Sequence, residues 1–312
     1  MEYDIRLSGA EEDNGTIEFD RLTQLANSIK SIARGALQIR LNGFSRSKGQ
    51  MSNRLQRALK IQLVAIQEQD STILRVRCDP FGETMNGIQG DLFNPAILAT
   101  LPTLTPVSLF MEAFREAVRT DLPGYAYDWL DRPLLTDLKN FRKLFLDESE
   151  TIQFANRGSV PDLVLHTDDF QRISTLEDLT PESREVMVTG RLDELKYNHY
   201  RVRVETAKGV VNGVLKDTVK PEHISSFWGR QVTLAGKGHY KPGGNLSFIE
   251  VSRVMEASQT DALFVRPPHS HLLNQQIELQ LKGGKSINRL ADIVGEWPGD
   301  EPLDELLSQL VD

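Results

Sequence analysis

A chain of 312 residues with 39% hydrophobic and 26% charged side chains can fill two or three hydrophobic cores, and its balance is that of a globular protein rather than a disordered one. No apolar run reaches the roughly 18 residues that a membrane-crossing helix needs, and the opening residues have neither the basic nor the apolar stretch of an export signal, so a cytoplasmic location and no membrane partner are expected. Cys78 is the single cysteine, which excludes a disulfide within the chain and a thiolate metal cluster.

Tyr3, Ile5 and Leu7 alternate with polar residues at the period of a half-buried strand, and residues 16–19 offer a second short one. Asp20 stands where it can cap a helix whose apolar stripe is Leu22, Leu25, Ile29, Ile32, Ala33 and Ala36. After a polar stretch over 42–53, residues 60–67 and 71–78 read as two strands joined by a short turn. Cys78 closes the second of them, where burial as a small apolar group is expected. Residues 1–79 therefore read as one helix laid on a small antiparallel sheet. Residues 80–106 hold several Gly and Pro and no sustained period, the pattern of a long connection. Helical patterns follow at 107–119, with Phe110, Met111, Phe114 and Val118 on one side, and at 134–146, with Leu138, Phe141 and Phe145; Pro123 and Pro133 interrupt between them. Residues 80–183 thus read as a mostly helical middle, with polar 168–182 as the link onward.

Strand-like runs recur at 186–195, 200–206, 210–215, 231–238 and 246–254, and a short helix opened by Pro221 and stopped by Gly229 separates the third from the fourth. Gly190, Gly213 and Gly236 fall inside strand runs, where bulges and barrel corners call for them. In architecture, residues 184–256 resemble an OB-type barrel, and an SH3-like barrel is the alternative. The expected fold class is α+β: a helix-on-sheet N-terminal unit, a helical middle and a small five-stranded barrel. In the last part, 257–312, residues 276–282 alternate like a strand, and Ser286 caps an amphipathic pattern that ends at Gly295. The final Trp297-Pro298-Gly299-Asp300-Glu301 resembles the endings of short proteins of bacterial toxin–antitoxin loci. The likeness implies a partner-docking tail, with Trp297, Leu303, Leu306, Leu307 and Leu310 on its apolar face.

The net charge of −8 conceals strong segregation. Residues 21–67 carry nine Lys or Arg and no Asp or Glu, and 184–256 hold twelve basic against eight acidic side chains. Arg34 and Arg40 also suit the helix C-terminal dipole, whereas Arg46, Lys48, Arg54 and Arg57 lie around a polar loop that needs no positive charge. With Val202 and Val204 pointing into the barrel, Arg201 and Arg203 point outward. These eight cations are the candidate nucleic-acid contacts, and an acidic protein surface is the equal alternative, because Lys and Arg patches serve both. Gly284-Lys285-Ser286 lacks the first glycine of a phosphate loop, Leu279 standing in its place; His269 and His271 lack further ligands at metal-binding spacing; and Asp168 and Asp169 suit a turn or cap. No motif asks for a cofactor or metal, and no catalytic residue is named. The reading is a non-enzymatic binding protein, or else a protein-interaction module or antitoxin or defence-locus component that docks a partner by its tail.

Overall fold

The computed structural model describes residues 1–10, 14–46, 53–68, 70–85, 100–118, 129–156, 161–196, 200–216, 219–258, 261, 264, 265, 267 and 268. All belong to one compact unit, Met1–Ser270; the other, His271–Asp312, lies outside the described residues. The fold is α+β. Strands β1 (Glu2–Ser8), β2 (Ile61–Glu68), β3 (Thr72–Cys78), β4 (Thr151–Asn156) and β5 (Leu163–Leu165) form an antiparallel sheet in the order β2-β3-β1-β4-β5. Around it lie helices α1 (Phe19–Asn42), α2 (Asn53–Ala58), α3 (Phe81–Thr84), α4 (Pro106–Val118), α5 (Arg132–Asn140) and α6 (Asp169–Asp178).

Of the apolar stripe read for α1, Leu25, Ile29, Ile32, Ala33 and Ala36 enter the core, against α4 and α5, while Leu22 is only partly buried. The helix ends at Gly43, whose φ of 84° is the left-handed conformation that a C-terminal cap uses; its N–H donates to the Ile39 carbonyl at 2.7 Å. Thr105 starts α4, its hydroxyl accepting from the Ser108 N–H at 3.1 Å while the Thr105 N–H donates to the Ser108 hydroxyl at 2.7 Å. At the centre of the core Phe110 touches Phe114, Phe141 and Phe154 at ring separations of 4.9, 5.3 and 4.6 Å. Glu150, its side chain wholly buried, accepts from Arg21 and from the Leu146 N–H, so one basic residue of the acid-free run serves the fold.

The structure differs from the sequence reading in several elements. Residues 16–18 form no strand, and Phe19 opens α1; the segment is tied to the sheet by the Thr72 hydroxyl, which donates to the Thr16 carbonyl at 2.9 Å. The polar stretch 168–182 holds α6, a helix paired with α5 and burying Phe170 and Ile173. β4 and β5 come from within the middle segment and complete the sheet, so the helices of that segment and residues 1–79 share one core.

The second half closes a five-stranded barrel from β6 (Arg184–Lys196), β7 (Arg201–Thr206), β8 (Gly209–Leu215), β9 (Gln231–Tyr240) and β10 (Leu246–Glu256), in the order β10-β8-β7-β6-β9. Neighbours are antiparallel except β8 and β10, which run parallel. A short helix, α7 (Pro221–Ile224), lies between β8 and β9. Val188, Val204, Leu234, Ile249 and Val251 fill the interior. At Gly236 a Cβ would come within 2.1 Å of the Glu250 carbonyl oxygen, so β9 and β10 close on each other only because that position is bare. Among the described residues no helix is long and apolar enough to cross a membrane.

Candidate functional site

β2 is the edge of the sheet, and among the described residues no element covers its inner face. Residues opposite one another on antiparallel strands share a face, and Leu63 lies opposite Val76, Ile66 opposite Leu74. Yet Val76 and Leu74 are 7% and 1% exposed, whereas Leu63 and Ile66 are 45% and 44% exposed. The core that closes over β3 thus leaves the facing residues of the edge strand to solvent. A cleft of about 690 Å³ opens there, floored by Ile5, Leu25, Leu74 and Val76 and bounded by α1, α2 and β2. That is within the usual size of a ligand-binding cavity, roughly 300–1,000 Å³.

Cations surround this cleft. Lys30 on α1, Arg57 on α2 and Lys60 line it; Arg34 lies one turn along α1 from Lys30, and Arg54 one turn before Arg57. All five are exposed and enter no salt bridge among the described residues. The other predicted contacts are placed elsewhere. Arg40 pairs with Glu112 at 2.6 Å and lies over the Trp129 ring, and Arg46 stands 3.5 Å from Asp137. Lys48 lies outside the described residues. Of the predicted contacts Arg57 thus lines the cleft, with Arg34 and Arg54 a turn away on α1 and α2, and the structure adds Lys30 and Lys60, which the sequence supplied only as members of the run.

On the barrel, Val202 and Val204 point inward as expected, 2% and 0% exposed. The arginines that alternate with them, Arg201 and Arg203, meet the protein's own surface. Arg201 lies 5.1 Å over the Phe44 ring, donates to Asn42, and is pulled below its ordinary pKa by burial, with Glu194 opposing. Arg203 stands 3.7 Å from Glu194. Phe44, next after the Gly43 cap, seats on Val214 and Phe248 of the barrel's outer face, with ring centroids 4.5 Å apart. The Ser247 hydroxyl donates to the Gly43 carbonyl at 2.9 Å, and on the other side Asp131 accepts from the Ser45 N–H and hydroxyl while capping α5.

His239 stacks on Phe248 at 4.4 Å and exchanges a hydrogen bond with Ser183, while its Nε2 is buried with no hydrogen-bond partner. Burial lowers its pKa first, Glu250 at 3.9 Å opposing and Lys237 adding to the depression. A histidine whose folded pKa is depressed stays neutral in the fold while the unfolded chain takes up a proton below about pH 6.5, so its contribution is whole above that pH and lost progressively beneath it. The stability difference between wild type and His239→Asn, from urea titrations, is therefore expected to shrink from pH 7.5 to pH 5.5; a constant difference would contradict it.

No protein-family model, curated protein or solved structure matches the chain. Its site is defined by its own residues. Among the described residues no group of three or more His, Cys, Asp or Glu could hold a metal ion. Cys78 is 3% exposed and burial pushes its thiol up, the state of an inert core residue. Asp168 and Asp169 open α6, where the Asp169 carboxylate accepts from the His166 N–H at 2.9 Å. The tail residues Trp297, Leu303, Leu306, Leu307 and Leu310, the Gly284-Lys285-Ser286 fragment and the pair His269 and His271 lie outside the described residues.

Proposed function

We propose that this chain is a non-enzymatic binding protein that holds an acidic surface of a partner protein at the α1–α2 face. The observation that carries the reading is that Lys30, Arg57 and Lys60 line one cleft, with Arg34 and Arg54 a turn away on the same helices, none of the five in a salt bridge among the described residues. Placed so, they raise the local potential for an anion in an otherwise anionic chain and steer its approach. The cleft lining favours protein over nucleic acid, because its apolar residues are aliphatic and no aromatic ring there could stack on a base.

Fluorescence polarisation at low salt with poly-L-glutamate, single-stranded RNA and duplex DNA tests this. Poly-L-glutamate is expected to bind, to weaken as salt is raised, and to lose at least about tenfold in affinity when Arg34, Arg54 and Arg57 are all changed to Glu, since three favourable pairings become repulsive. No binding by any polyanion, or binding indifferent to the triple change, removes the reading.

Nucleic-acid binding is a second reading, and the barrel favours it. Five strands with one parallel pair and a short helix between the third and fourth support an OB-type assignment over an SH3-like one. Trp228 and Tyr200 stand on the barrel 58% and 49% exposed, as stacking residues would. Titration with oligo(dT) is then expected to quench tryptophan fluorescence, with the quench lost in Trp228→Phe; an unquenched signal argues against this use of the barrel.

A further inference from the structure

We infer that the α1–α2–β2 cleft seats an amphipathic α-helix of the partner protein, apolar side down and acidic flank toward α2. This rests on the reading of an acidic protein partner and specifies its form. Three observations carry it. The first is shape: Ile61, Leu63 and Ile66 run along the inner side of β2 over about 17 Å at the rise of a strand, the length of roughly three helical turns. The second is the apolar surface left open. Leu22, Thr23 and Ala26 line the cleft from α1, so the facing walls present Leu22 and Ala26 on one side and Leu63 on the other, with Ile66 next on the same face of β2. Phe19, 84% exposed, lies one turn before Leu22 on α1 and is not among the lining residues. A trough with apolar walls and an open top takes a row of side chains at i, i+3, i+4 and i+7, the way an amphipathic helix presents them.

The third observation is polarity. Lys30, Arg57 and Lys60 line the α2 end, whereas Glu18 and Asp20 flank Phe19 at the start of α1. A helix bearing Asp or Glu toward α2 and Lys or Arg beyond Phe19 matches both ends. Addition of a partner strand to the β2 edge is disfavoured, because the register of β2 against β3 shifts between Leu63 and Ala65 and the ladder there is interrupted. Binding therefore comes from side chains buried in the trough.

The test uses the full chain as bait for a phage-displayed library of random peptides of about 16 residues, enough for four helical turns. Enriched peptides are expected to be acidic, with leucine-like residues at i, i+3, i+4 and i+7. A fluorescent copy of the most enriched peptide should lose at least tenfold in affinity to Leu63→Asp and to Ala26→Trp. Both positions are solvent-exposed, and a thermal melt of each variant checks that it folds; a blocked cleft in the folded Ala26→Trp protein keeps the inference testable if Leu63→Asp fails to fold. Enriched peptides that alternate like strands, or that bind both variants as tightly as wild type, overturn the inference. Self-association of the chain that Ala26→Trp abolishes also overturns it, since a second copy would then fill the cleft, as does single-stranded RNA competing with the peptide at equal affinity. Poly-L-glutamate separates the two levels. If it binds in an Arg57-dependent way while no helical pattern is enriched, the cationic face stands and the helix falls; if it too fails to bind, both fall.

Discussion

Phe110→Ala is expected to lower the stability of the unit by about 3–5 kcal/mol, the cost of a large cavity in a core that cannot collapse to fill it. The expectation follows from position. Phe110 is wholly buried and is the ring on which α4, the 3₁₀ turn carrying Phe141 and strand β4 converge, so its removal strips contacts from three elements at once. Phe114 and Phe141 keep their own edge-on contact at 5.3 Å, and that pair resists closure of the hole. Chemical denaturation followed by circular dichroism measures the loss. A drop under about 1 kcal/mol would mean that the neighbouring rings repack and that the cluster is softer than its geometry implies.

Phe44→Ala is expected to be nearly as costly, about 3 kcal/mol by the same rule, but to act differently. Phe44 is 1% exposed and is the apolar contact by which the turn after α1 is fastened to the barrel, through Val214 and Phe248. Its loss also uncovers the Arg201 guanidinium that lies over its ring. The unfolding transition, expected to be single in the wild type, is expected to broaden or divide in this variant, because the sheet-and-helix half and the barrel each retain a separate core. Calorimetry tests this: one sharp, undivided endotherm in the variant would show that the halves are coupled by more than this aromatic contact.

Elements whose apolar residues follow one period were legible in the sequence. α1, β1, α4 and all five barrel strands stand within a few residues of where alternation or helical spacing put them, and the helix between β8 and β9 starts at the expected Pro221. The misses have physical causes. α6 carries only Phe170, Ile173 and Leu176 as large apolar groups in a run of polar residues, so its period was faint. β5 is three residues long, below the length at which alternation can be recognised. Charge segregation was plain, but which cations remain available was not, because the carboxylates that engage Arg21, Arg40 and Arg46 lie 129, 72 and 91 positions away. The cleft had one local signature. In β2, Leu63 and Ile66 face the same way although three apart, a spacing that a regular strand forbids and a bulge allows.

That bulge bears on how the protein behaves in concentrated solution. An apolar edge strand with Leu63, Val64 and Ile66 all substantially exposed is the kind of segment that templates fibrils. Deleting Val64 would restore an uninterrupted ladder and line its whole length with unsatisfied donors and acceptors. Thioflavin-positive aggregates would then be expected from a chain that otherwise folds as before, making one extra residue in an outer strand a safeguard against self-templated assembly.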